Sequence, residues 1–83
     1  MSAARSEWNQ QVRENAGERD RCLKDATATK RDLFAAVNFT GEEDLAELDE
    51  ARVHMLIEKL MLERRRMAEL MRARKTLLGS PPV

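Results

Sequence analysis

Apolar side chains recur at helical spacing through two long stretches of this chain. In the first, Trp8, Val12, Leu23, Leu33, Phe34 and Val37 are joined by Ala16 and Ala26. On a 3.6-residue period the large ones fall in a stripe about 120° wide, enough to pack against one neighbouring helix. In the second stretch, Leu45, Val53, Leu56, Leu60, Met67, Met71 and Leu78 share one face. No proline interrupts either stretch, and Gly17 is the one glycine that invites a bend.

Residues 34–44, FAAVNFTGEED, interrupt the pattern. Thr40 and Glu43 have the T-x-x-E spacing of a capping box, in which the hydroxyl and the carboxylate satisfy free N–H groups at a helix start. Asn38 tolerates a left-handed conformation and suits the end of the preceding helix. Phe39 precedes the cap, but Asp44 stands where a hydrophobic staple needs an apolar residue. The spacing predicts helix 1 over about 3–37, starting after Ser2 or Ser6, a turn at 38–41, and helix 2 over about 41–78. The Gly79–Pro82 stretch GSPP ends helix 2 and leaves a short tail, 79–83. A break this short between two helices makes them antiparallel neighbours. The fold expected is therefore all-α: a single-domain, coiled-coil-like, antiparallel two-helix hairpin.

Antiparallel helices rise equally per residue, so facing positions share a constant sum of residue numbers. A turn at 39 and 40 sets that sum near 79. Trp8 then faces Met71, Val12 faces Met67, Leu23 faces Leu56, Ala26 faces Val53 and Phe34 faces Leu45. The seam on helix 1 follows positions 12, 16, 19, 23, 26, 30, 33 and 37, with Trp8 one stutter before it. The same register brings Glu7 near Arg72, Glu14 near Arg65 and Arg66, Asp20 near Lys59, Asp25 near His54, and Lys30 near Asp49 and Glu50. Residues 41–50 carry six acids and no base, whereas Arg64, Arg65, Arg66, Arg72, Arg74 and Lys75 make the far end of helix 2 basic. Each surface pair is worth roughly 0–1 kcal/mol, so the pattern bears on direction more than on stability.

Helix 2 carries more apolar surface than helix 1 can cover. Leu48, Met55 and Leu62 repeat every seven residues along one flank, Leu70 and Leu77 lie between that flank and the seam, and Ile57 and Met61 occupy the other flank. A line of such residues is a patch rather than scatter, and patches mark interaction sites. These seven residues are the expected partner-binding set. Met55, Met61, Met67 and Met71 all lie on helix 2, where thioethers adapt to varied partner shapes; Met67 and Met71 read better as core. Arg19 and Lys30 fall on the helix 1 seam, where long stems pack while their charges reach water.

Composition narrows the function classes. The chain has 83 residues, 15 basic and 15 acidic, and is therefore neutral, which argues against a dedicated polyanion binder. No stretch is apolar enough for a secretion signal or a membrane span, so a soluble cytoplasmic protein is expected. The NFT at Asn38–Thr40 reads as a turn rather than a glycosylation site. The single cysteine, Cys22, excludes an internal disulfide and reads as a small buried hydrophobe. With His54 alone it forms no metal site, and no acid, base and pocket converge. No catalytic residue, metal or cofactor is therefore assigned. Arg64, Arg65 and Arg66 point in three directions around a helix, so the segment 63–75 makes no single basic patch.

These readings converge on a non-enzymatic protein–protein interaction module: a small subunit, adaptor or scaffold completed into a bundle by a second copy or a partner protein. The alternative within binding proteins is a small chaperone or co-chaperone that covers an amphipathic helix of a client. A nucleic-acid-binding regulator is the alternative from another class.

Overall fold

The structure, a computed structural model, describes residues 2–82. They form three helices and no strand: α1, Ala3–Val37; α2, Glu42–Ala46; and α3, Glu50–Gly79. Ser2 starts α1 by accepting the Arg5 N–H on its hydroxyl oxygen at 3.2 Å, satisfying one of the free donors at a helix start. The helix then runs 35 residues, through Gly17, to Val37. Asn38 has φ −79° and ψ 111°, and no described residue takes a positive φ. The left-handed end expected at Asn38 is not used.

The corner departs further from expectation, because the second helix is two helices. Thr40 Oγ1 donates to Asp44 Oδ2 at 2.8 Å, so Asp44 rather than Glu43 holds the threonine. Gly41 is the N-cap of α2 and makes no side-chain cap bond. The helix stops after five residues, and Asp49 starts α3 by accepting the Arg52 N–H at 3.0 Å. Like charges three and four residues apart repel on a helix. Glu43, Asp44, Glu47 and Glu50 would stack in that way through an unbroken one. Asp is a strong N-cap, so the break falls where Asp49 can serve as one. α3 ends at Gly79, before Ser80 and the two prolines.

α1 and α3 lie side by side, while α2 packs on neither. Trp8 meets Leu77, Asn15 meets Leu70 and Cys22 meets Glu63. As the number on α1 rises the number on α3 falls, so the two long helices run in opposite directions. The result is a rod 65 × 15 × 15 Å in extent. Each of these pairs totals 85 rather than 79, because the connection spans residues 38–49. The register is displaced by six residues, about 9 Å along α3.

The seam on α1 follows Trp8, Val12, Asn15, Arg19, Cys22, Ala26, Thr29, Leu33 and Ala36 in an unbroken 4-3 alternation. Trp8 is in step, with no stutter. Val12, Arg19, Ala26 and Leu33 are as expected, but Asn15, Cys22, Thr29 and Ala36 replace Ala16, Leu23, Lys30 and Val37. On α3 the inward row is Val53, Leu56, Leu60, Glu63, Met67, Leu70 and Leu77; Leu45, Met71 and Leu78 are exposed.

Small polar side chains explain the exchange, because they let the helices approach until they reach facing backbone. Trp8 Nε1 donates to Leu77 O at 2.8 Å, Asn15 Nδ2 to Leu70 O at 2.9 Å and Cys22 Sγ to Glu63 O at 3.3 Å. The three donors and the three acceptors are each seven residues apart. Such bonds contribute about 0.5–1.5 kcal/mol each, weaker where sulfur is the donor. Leu77 O is also among the last four carbonyls of α3, which lack a helical partner. Arg19 Nε donates to Asn15 Oδ1 at 2.8 Å, so the Asn15 amide is held at both ends. Thr29, 1% exposed, returns its hydroxyl to Asp25 O at 3.0 Å. The apolar core is thin: Cys22, Leu56 and Leu70 are its buried members.

Candidate interaction surface

The seam divides the rod into two long sides, and their chemistry differs. Glu18 lies one step of four before Cys22, and Leu23 lies one step of four after Arg19. Each step turns about 40°, so Glu18 and Leu23 flank the seam on opposite sides.

On the Glu18 side, Arg66 Nη2 meets Glu18 Oε2 at 2.7 Å. Seven and fourteen residues further along α1 stand Asp25 and Asp32, and seven and fourteen residues back along α3 stand Lys59 and Arg52. Because the helices oppose, each acid falls at the height of a base. The cross-helix pairs expected from the shorter turn do not form. Asp20 instead pairs with Lys24 at 2.9 Å on its own helix, and His54 approaches Glu50 at 3.7 Å. A groove of about 550 Å³ opens on this side, lined by Glu18, Arg21, Cys22, Asp25, Leu62, Glu63 and Arg66. Glu63 turns inward, and its Oε1 is sealed from solvent with no hydrogen-bond partner.

On the Leu23 side the flank rows carry Leu23 and Val37 from α1 and Ile57, Met71 and Leu78 from α3. Phe34 and Met61 stand one row further out. All seven are exposed, Leu23 by 59% and Phe34 by 63%. Lys30 and Arg64 interrupt the two flank rows, and Arg13 and Lys75 stand in the rows further out with Phe34 and Met61.

The seven residues expected to bind a partner are thus dispersed. Ile57 and Met61 lie on the apolar side. Met55 and Leu62 are exposed beyond the charged side. Leu48 falls in the irregular segment between α2 and α3, so it does not continue their row. Leu70, 7% exposed, and Leu77, half-buried, sit in the seam against α1 and are taken up by it. Leu23, Phe34 and Val37 escape the sequence reading because it assigned them to the seam. Their signal was available in the heptad rows 15, 22, 29 and 18, 25, 32, which together leave the row 16, 23, 30, 37 outside.

Among the described residues no cluster of three metal-ligating side chains occurs, and no helix is long and apolar enough to cross a membrane. Cys22 is buried and donates to a carbonyl of α3, whereas His54 is exposed beside Glu50. Arg64 stands in the row of Ile57, Met71 and Leu78, Arg65 faces away from α1 and Arg66 closes on Glu18. No family model matches the chain, and no curated protein or solved structure matches it either.

Proposed function

We propose that this chain is a non-enzymatic protein–protein interaction module, an antiparallel helical hairpin of coiled-coil type that further helices complete into a bundle. It acts as a small subunit, adaptor or scaffold, in the cytoplasm or another reducing compartment where the Cys22 thiol persists. One observation carries the reading: Leu23, Phe34, Val37, Ile57, Met61, Met71 and Leu78 stand exposed on one side of a molecule that buries few apolar side chains of its own. Burying any one of them fully is worth about 1.5–3 kcal/mol. Several together rival the 5–15 kcal/mol that typically separates folded from unfolded domains. The proposed partner-binding set is accordingly Ile57 and Met61 with Leu23, Phe34, Val37, Met71 and Leu78 beside them, in place of Leu48, Met55, Leu62, Leu70 and Leu77.

Affinity chromatography from native lysate tests this. Capture of a defined partner, or of more of this chain, should be abolished by Ile57→Asp or Met61→Asp and retained by Arg65→Ala. The reverse ranking, with capture lost on raising salt, favours a polyanionic ligand instead.

A further inference from the structure

We propose that the apolar side receives one amphipathic helix of another protein, its apolar face edged by acids, which completes a three-helix bundle with α1 and α3. The proposal rests on the interaction-module reading and names the chemistry of the partner.

Spacing selects a helix. Leu23 and Val37 of α1 and Ile57, Met71 and Leu78 of α3 stand in the two rows that wall the groove on this side, and all five are exposed. The pairs Trp8–Leu77, Asn15–Leu70 and Cys22–Glu63 fix their heights. Leu23 stands level with Leu62, and Val37 lies about 3 Å beyond the start of α3. Leu78, Met71, Leu23, Ile57 and Val37 therefore succeed one another over about 45 Å, in steps of about 8–14 Å that average about 11 Å. Seven residues of a helix rise about 10.5 Å, so the heptad row of a helix about 30 residues long, laid along the groove, passes each of them in turn.

Charge selects the edges of that helix. Arg64 stands across the groove from Leu23, and Lys30 across from Ile57, each within about 3 Å in height. A helix lying between the rows thus passes a guanidinium on its α3 edge and an ammonium on its α1 edge. Arg13 and Lys75 stand in the rows further out, and Arg74 joins Lys75 beside Met71 and Leu78 in a groove of about 610 Å³ at the open end. Among the described residues none of these five bases has an ion-pair partner, whereas the acids of this side are engaged. Asp20 holds Lys24 at 2.9 Å, and Glu50 lies 3.7 Å from His54. Acids on both edges are the complement, and edge charges of this kind set partner choice in helical bundles.

Neither long helix of this chain supplies them. The α1 seam has Glu18, Asp25 and Asp32 along one edge only, and the α3 seam is edged by Arg52, Lys59 and Arg66 on one side and Arg64 on the other. A two-fold pairing fails as well. Arg64 lies within about 1 Å of the middle of α3, so a copy turned end for end sets it against its counterpart, and a parallel copy does so for every base. A polyanion is poorly matched, because the bases stand singly among apolar side chains rather than in one patch.

Two labelled peptides of about four heptads test this. Both carry leucine at the two seam positions of every heptad; one has glutamate on both edges, the other lysine. Fluorescence anisotropy against the purified full chain at low salt should find the glutamate peptide bound at least about tenfold more tightly, since every edge pair changes sign between the two. Added salt should narrow that gap. Lys30→Glu combined with Arg64→Glu should reverse the preference while circular dichroism finds the helices intact. Ile57→Asn should weaken both peptides, and Leu62→Asn neither. Equal binding, or preference for the lysine peptide, would overturn the acidic partner; loss of that binding in Ile57→Asn would leave the interaction-module reading standing. Binding of neither peptide by a chain that scatters light at twice its 9.5 kDa mass would overturn the proposal in favour of a second copy, again sparing that reading. Binding of neither by a monomer that floats with phosphatidylserine vesicles, or that melts unchanged and binds no hydrophobic dye when Ile57 is kept or replaced, would remove both.

Discussion

The two long sides of the rod are built from the same two helices and perform opposite tasks. On one, Glu18, Asp25 and Asp32 of α1 run past Arg66, Lys59 and Arg52 of α3 at matched heights, and Glu18 closes on Arg66 at 2.7 Å. On the other, Leu23, Phe34 and Val37 run beside Ile57, Met61, Met71 and Leu78 with their surfaces open. Charges at matched heights penalise a wrong register or direction while adding little stability. Open apolar rows add much when covered and say little about direction. A narrow helical rod with a thin core thus separates specifying its own pairing from stabilising it.

Removing the seam that both sides share gives the largest effect. Leu56 is 4% exposed, and Leu56→Ala should cost about 2–5 kcal/mol through lost burial and the cavity left behind. In so small a core this should abolish cooperative thermal unfolding by circular dichroism. Next, two neighbours in sequence separate the sides. Met61→Glu should weaken association by about 1.5–3 kcal/mol, the worth of one buried apolar side chain. Leu62→Glu should shift it by no more than about 0.5 kcal/mol, because its carboxylate lands one turn from Arg66, where such pairs are mildly favourable. Sedimentation equilibrium on both variants measures the contrast, and equal losses would erase the distinction between the sides.

How much of this was legible depended on residue size. The limits of α1 followed from Ser2 and from the loss of apolar period after Val37, and both agree with the structure. The opposed direction of α1 and α3 followed from the acidic-to-basic gradient along helix 2. The register did not, because Thr40 and Glu43 satisfied a capping pattern that Asp44 disrupts, and the connection was therefore read as short. A signal for the true break was present in Asp49, three residues before Arg52, within a stretch too acidic to stay helical. The seam was half legible. Large residues such as Leu23 and Val37 were assigned inward on size, whereas Asn15, Cys22 and Thr29 hold those places because small side chains can reach the facing or their own backbone. The candidate surface followed from that assignment. With Leu23 and Val37 counted as core, the exposed apolar surface fell to helix 2 alone, and the composite side could not be seen.

Glu63 is where the charged side intrudes on the seam. Its Oε1 is sealed from solvent without a partner, and an unsatisfied buried acceptor costs about 1–3 kcal/mol. Glu63→Leu should therefore raise stability by about 1 kcal/mol or more, since a similar volume of apolar side chain needs no partner and the Cys22 bond goes to the backbone carbonyl. Urea unfolding measures it, and a loss of stability would show that the Glu63 carboxylate has a stabilising role.

The smallest effect tests the charged side itself. Glu18 and Arg66 are both exposed enough for solvent to screen them, so deleting the pair with Glu18→Ala should cost no more than about 0.5 kcal/mol. Reversal asks for more than deletion, because Glu18→Arg sets a second guanidinium beside Arg66, with Arg21 lining the same groove. That variant should lose about 1 kcal/mol at low salt, where the Debye length of about 10 Å or more leaves the repulsion unscreened, and recover most of it at about 1 M salt. Arg66→Glu placed on the same chain should restore the low-salt value, because the pair is then re-formed with its signs exchanged. Thermal melts of the single and double variants across salt complete a double-mutant cycle. A coupling of zero at low salt would mean that the heights match by coincidence, and that the polar bonds of Trp8, Asn15 and Cys22 alone hold the register.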